Sequence, residues 1–263
     1  MVVLAGLWAA WACAAAPADE AALWRLWTAH QKAADGEHRT CATECAALAR
    51  EHPTWKPVGE GLAAWHLLKA GATAEAARLL QGLAAAPGDD PLVDAGREMA
   101  RRWLTRLDRA AVQAALRTYY QQFISYPETL AELSAVTNLP TPPLTDRWNK
   151  PWRYRRIPFR RLARLRDQRY ELESAMLPGA ASDLTAALRT PYAGTIRLKA
   201  VTVTAAGGER QGVEFETAAA PAKRVLLAEG TDYEGVRLVK IGASVLLLSD
   251  GDYWLVLARP TGP

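Results

Sequence analysis

His38, Cys41 and Cys45 follow one another at spacings of three and four residues, so a helix carries all three on one face. One imidazole and two thiolates are donor types that a soft metal accepts. The same spacing places the two cysteines on adjacent turns, roughly 6 Å apart at Cα. A disulfide there requires some unwinding of the helix. Three readings stay open for this face: a Cys41–Cys45 disulfide, two buried free thiols, or three ligands of a metal with no fourth ligand nearby. The remaining histidines, His30, His52 and His66, also fall in the helical N-terminal region. None lies in a nucleophile-elbow, zincin or phosphate-loop pattern. His66 follows Trp65 inside a helical stretch, where an imidazole is expected to be packed. The chain is expected not to be an enzyme and to use no cofactor.

The elements that would position these residues read as helical from 19 to 107. Leu23, Trp24, Leu26 and Trp27 open one helix, the cysteine helix runs to about Arg50, and His52-Pro53 ends it. Residues 61–69 and 74–86, turned at Gly71-Ala72-Thr73, form a helical hairpin. Its Ala64, Leu67, Leu68, Gly71, Glu75, Ala76, Leu79 and Leu80 are similar to one tetratricopeptide-type unit, because small residues let two helices cross closely. No second copy recurs at a fixed period, and a solenoid needs about three. An ordinary bundle and a repeat-like adaptor both fit. Pro87-Gly88-Asp89-Asp90-Pro91 precedes another helix, 92–107.

A chain of 263 residues with 50% hydrophobic content has room for two or three small domains. A net charge of +4 is too mild to argue for nucleic acid. Residues 2–16 are apolar and alanine-rich but too short to span a bilayer, and Ala16-Pro17-Ala18 before Asp19 fits a signal-peptidase site. Residues 1–18 are read as a cleaved signal peptide, with lipid anchoring at Cys13 or a retained segment as alternatives. Export implies a periplasmic or envelope-associated protein, and an oxidising compartment for Cys41 and Cys45.

From 108 to 124, Val112, Leu116, Tyr119 and Phe123 make an amphipathic stripe, too short and too charged (Arg109, Arg117) for a membrane span. Pro127 suits the first turn of a helix, with Leu130 and Leu133 on one side. Pro140, Pro142 and Pro143 impose an extended linker. Asp146 opens a turn in which Asn149 takes a positive φ. Pro151 sets up a strand whose Trp152 and Tyr154 share a face, and Trp148, Trp152 and Tyr154 are expected as core aromatics. Residues 147–169 hold ten Lys or Arg. This basic segment reads as a solvated loop, or as a contact for an acidic protein or anionic membrane surface.

The order Tyr126-Pro127-Glu128-Thr129-Leu130-Ala131-Glu132-Leu133, then Pro142-Pro143-Leu144-Thr145-Asp146-Arg147-Trp148-Asn149-Lys150-Pro151-Trp152-Arg153-Tyr154, resembles the C-terminal globular part of the major pseudopilin of type II secretion. The family pattern has a strand Tyr-x-Leu-x-Ser next, here Tyr170-Glu171-Leu172-Glu173-Ser174, leading to Leu177-Pro178-Gly179 and Ser182-Asp183-Leu184. Arg147 and Asn149 stand where the family has Pro and Gly. The resemblance implies an α+β head over 108–193 and protein partners in a secretion or pilus machine. A pseudopilin starts with a peptidase site and a long apolar helix. Neither is read before Tyr126, so pilin-like polymerisation is not expected. Calcium is a family feature at the loop after the second strand; this chain keeps Asp183 and Glu173 but lacks the Asp-Gly pair, and no tight site is expected.

After residue 194 the pattern changes to strands: 195–204, 211–217, 223–228, 236–241, 245–248 and 253–257, with turns at 206–209 and at Ser249-Asp250-Gly251-Asp252. Residues 233–248 are similar to small periplasmic β-modules that dock onto secretins. The expected fold class is α+β multidomain: helical residues 19–107, a pseudopilin-like head 108–193, and an antiparallel β module 194–263. The function that follows is an exported accessory or adaptor protein of a type II secretion or pilus-like machine, or a periplasmic scaffold without a secretion role. Its partners would be envelope proteins and not nucleic acid.

Overall fold

The computed structural model describes residues 18–33, 36–135, 141–157, 170–190, 192, 198–206, 210–217, 221 and 223–259. The signal-peptide residues up to 17, Cys13 among them, and the basic stretch 158–169 lie outside the described residues. The chain is a mixture of helices and antiparallel sheets, an α+β class. It divides into two compact units, one built from residues 1–100 and 191–263, the other from 101–190.

The first unit opens with α1 (Ala18–Gln31), α2 (His38–Glu51), α3 (Lys56–Lys69) and α4 (Thr73–Ala84). Pro57 occupies the first turn of α3, where its missing N–H costs nothing. Gly71 turns the chain into α4 at φ +74, a conformation that side-chain-bearing residues rarely adopt. Close packing of α2 on α3 depends on Gly59: a Cβ there would sit 2.7 Å from that of Ala49.

Two antiparallel sheets complete this unit. One orders β3 (Leu198–Ala206), β4 (Arg210–Thr217) and β5 (Arg224–Ala228); the other orders β6 (Asp232–Tyr233), β7 (Val236–Ile241), β8 (Val245–Ser249) and β9 (Trp254–Ala258). The uninterrupted apolar run of β8 is buried at every position. Leu246 and Leu248 join Val213, Phe215, Leu227 and Leu238 in a core drawn from both sheets. Their cross-strand partners Leu257 and Leu255 pack on the same cluster. Val245, Leu247 and Ser249 therefore face the other way, as do Trp254 and Val256. On that face Trp254 meets Gly61 of α3 and Met99, with the indole Nε1 2.7 Å from where a Cβ on Gly61 would be. Helices thus cover the second face of the four-stranded sheet, and the helical and C-terminal β regions, expected as two domains, share one compact unit.

The second unit contains the later part of α5 (Pro91–Phe123), β1 (Arg153–Arg156), β2 (Tyr170–Glu173) and α6 (Leu184–Arg189). The two helices expected at 92–107 and 108–124 are one continuous helix, since nothing between Arg97 and Phe123 breaks it. Ile124, at φ +54, ends it. Pro127 lies outside any helix; Leu130–Ala135 is a 3-10 segment, and Thr129 N–H donates to the Glu132 carboxylate in its place. Leu130 and Leu133 are both buried against Val112, Ala115, Leu116, Trp152, Tyr170 and Leu172.

Candidate functional site

The residues that carry the resemblance build the core of the second unit. Tyr126 stacks on Tyr120 and meets Tyr170 edge-on, and Tyr154 donates its phenol hydrogen to the Pro127 carbonyl at 2.8 Å. The Trp152 indole donates to the Pro143 carbonyl. Pro142 is buried, while Leu144 is exposed. Thr145 and Pro151 face each other across the turn, and Asn149 takes φ +58 as its residue type allows. Trp148 departs from expectation: it is half-buried and lies outside the cluster.

Asp146 organises this turn. Its Oδ1 accepts from the N–H groups of Trp148 and Lys150, and its Oδ2 accepts from Ser174 Oγ at 2.7 Å. Ser174 Oγ in turn accepts from Met176 N–H and Leu177 N–H. Arg109 donates to the Leu172 carbonyl and to Asp183 Oδ2, and Asp183 Oδ1 caps α6 through Ala186 N–H. The N–H of Ala186 and the Arg109 charge outweigh burial and hold the Asp183 carboxyl below the usual carboxylate range. Both its oxygens are thus engaged in structural bonds. Of the described part of the basic segment, Arg147 pairs with Asp108, Arg155 with Glu171 and Arg156 with Glu128.

The first unit contains an arrangement that no local spacing announces. His30 in the last turn of α1, His38 at the start of α2 and His66 in the last turn of α3 form a line of imidazoles. His30 Nδ1 lies 3.1 Å from His66 Nε2, and His38 Nδ1 lies 3.0 Å from His66 Nδ1. His30 and His66 are buried; His38 is half-buried. Burial first, then the neighbouring imidazoles, lower the His30 pKa to about 3, and burial followed by His38 lowers that of His66 to about 4. Aromatic rings enclose the line: Trp65 touches all three histidines, Trp27 touches His30, and Tyr192 bridges Trp27, His30 and Trp65. Tyr192 Oη also accepts from the Trp254 backbone N–H, and burial raises its phenol pKa well above the ordinary value.

Cys41 and Cys45 are buried free thiols and form no disulfide, because α2 stays wound through both. Cys41 Sγ faces the Ala29 carbonyl at 3.7 Å, and burial pushes the Cys45 thiol up to about 12. Among the described residues no group of three or more His, Cys, Asp or Glu is arranged to hold a metal. The geometry explains this for the histidines, since His66 offers different ring nitrogens to its two neighbours. Sequence reasoning placed His38 beside the cysteines and missed His30 and His66, which come from other helices.

No protein-family profile, curated protein or solved structure matches this chain. No helix among the described residues is long and apolar enough to cross a membrane.

Proposed function

We propose that the chain is a non-enzymatic accessory or adaptor protein of a type II secretion or type IV pilus-like machine, exported to the cell envelope. One observation carries this reading. The two sequence segments that resemble the pseudopilin head, centred on Asp146 and Ser174, are joined by a buried hydrogen bond of 2.7 Å. Around that bond the motif aromatics pack against one long helix. Motif residues that meet one another support a common fold better than motif residues scattered over a surface. In this reading residues 108–193 are a pseudopilin-like head and the α3–α4 hairpin is a tetratricopeptide-like docking unit. The C-terminal strands resemble secretin-docking modules.

The contact to the machine is assigned to the strands after residue 194. β5 is an edge of its sheet, and Leu226 on it is 59% exposed. An edge strand has backbone groups available for a partner strand, with side chains such as Leu226 setting selectivity. The test is recovery of the protein from its native envelope after mild crosslinking, with and without Leu226→Arg. Recovery of secretion or pilus components that Leu226→Arg abolishes supports the assignment. Recovery of unrelated envelope proteins alone favours the scaffold without a secretion role.

A further inference from the structure

We propose that His30, His38 and His66 form an acid-sensitive latch that closes one end of α1, α2 and α3, and that loading it with two protons opens that end and uncovers Trp27, Trp65 and Tyr192.

The argument starts from the two contacts. Each joins two ring nitrogens 3.0–3.1 Å apart, so one nitrogen must carry the hydrogen and the other must accept it. Three neutral imidazoles satisfy this, with His66 donating through one nitrogen and accepting through the other. One added proton also fits: His66 then donates from both nitrogens, to Nδ1 of His30 and Nδ1 of His38. A second proton does not fit. It leaves one contact with hydrogens on both nitrogens, and it puts two like charges side by side in a desolvated place.

The surroundings offer little relief. Among the described residues, what acts on His30 and His66 is burial and the other imidazoles, and no described carboxylate contributes. From α2 the neighbours that titrate are Cys41 and Cys45, with Glu37 and Glu44 felt at Cys41. From α3 comes Lys69, whose Nζ lies 5.5 Å above the Trp65 ring and adds positive charge. Tyr192 and Tyr253 close the other side, with Asp250 acting on Tyr192. A second feature marks the place as unfinished: the Trp65 indole N–H is buried and has no hydrogen-bond partner among the described residues. Opening would hydrate it, so the closed state holds a polar group that the open state satisfies.

The sign is fixed by the lowered affinities. Closed, His66 takes a proton near pH 4 and His30 near 3; opened, each returns to about 6.5. The open form therefore binds more protons, and it gains on the closed form as pH falls from about 6.5 towards 4. Above that window His30 and His66 are neutral and the latch is shut.

The test uses the full chain. Thermal melting and tryptophan fluorescence are followed from pH 7.5 to 4.5; Glu60, whose carboxyl burial raises above 4.5, is shared by wild type and variant and cancels in their comparison. The wild type is expected to lose melting temperature steadily below pH 6.5 and to show solvent-exposed tryptophan emission. The His30→Gln, His66→Gln double variant, which keeps hydrogen-bonding side chains but cannot charge, is expected to lose more than half of that pH dependence. An unchanged pH dependence in the variant, or a flat profile in the wild type, overturns the proposal. If the variant does not fold at pH 7.5, histidine ring resonances of the wild type decide. The proposal expects two imidazoles that stay untitrated while the fold is intact; titration of all three near pH 6.5 with the fold retained overturns it.

Discussion

The Glu20 carboxylate, in the first helix, grips Ser244, which lies 224 residues later in the turn between β7 and β8. Its Oε2 accepts from Ser244 N–H at 2.8 Å and from Ser244 Oγ at 2.6 Å, and its Oε1 accepts from Ala243 N–H. Burial opposes the charge, but the Ser244 hydroxyl, the two backbone N–H groups and Arg259 together hold the Glu20 pKa below its usual 4.5. Glu20→Ala leaves those donors without an acceptor and is expected to cost about 2–4 kcal/mol in urea unfolding. The wild-type contribution is complete above pH 4.5 and is lost as pH falls through the lowered value. Below that range the wild type and the variant should converge. Gly242→Ala should destabilise the same turn, since a Cβ there collides with the Glu20 carboxylate and Val245.

Ser174→Ala should weaken the second unit by about 1–3 kcal/mol, because Asp146 Oδ2 loses its donor and Met176 N–H and Leu177 N–H lose their acceptor. Denaturant titration checks this. A change near zero would mean that water replaces the hydroxyl without loss.

Trp152→Ala and Trp148→Ala should separate clearly. Trp152 is in the cluster and its truncation should cost about 3–5 kcal/mol. Trp148 is half-buried and outside that cluster, so its loss should cost no more than about 1.5 kcal/mol. Equal costs by thermal melting would contradict the placement of the two rings.

Cys41 and Cys45 should resist thiol reagents in the native protein at pH 8. Both are buried, and burial raises the pKa of each thiol, that of Cys45 to about 12, so the reactive thiolate is scarce. Both should react promptly in denaturant. Rapid native labelling would show that α2 opens locally.

Local signals were readable where physics acts over a few residues. The Val245–Leu248 run announced a strand, which the structure buries at every position, and Asn149 and Gly251 took the positive φ that their turns demand. The division at 107/108 follows the extent of the resemblance and not any helix-stop, and α5 runs through it. The Cys41–Cys45 pair could be read as bridged or free from spacing alone, because only the position of the α1 carbonyl at Ala29 shows where Cys41 points. Least legible were the long-range meetings. His30, His38 and His66 acquire their character from three helix ends coming together, and Glu20 from a turn at the far end of the chain. Neither leaves a period or a motif. Removing residues 194–263 would accordingly strip the helices of the sheet that covers them, and is expected to unfold α1–α4 as well.

The split of the first unit bears on the order in which the protein can be made. Residues 101–190 are contiguous, so the second unit has all its parts once residue 190 has been synthesised. The first unit waits for its last strand, Trp254–Ala258, which supplies the indole seated on Gly61. Until then α1–α4 have an apolar face that the last strand has yet to cover, for the time needed to add about 170 further residues, from Ala84 to Trp254, at roughly 5–20 per second. The N-terminal half is therefore the part of this protein most in need of a chaperone, and a chain ending between residues 190 and 250 would hold every part of the second unit beside uncovered helices.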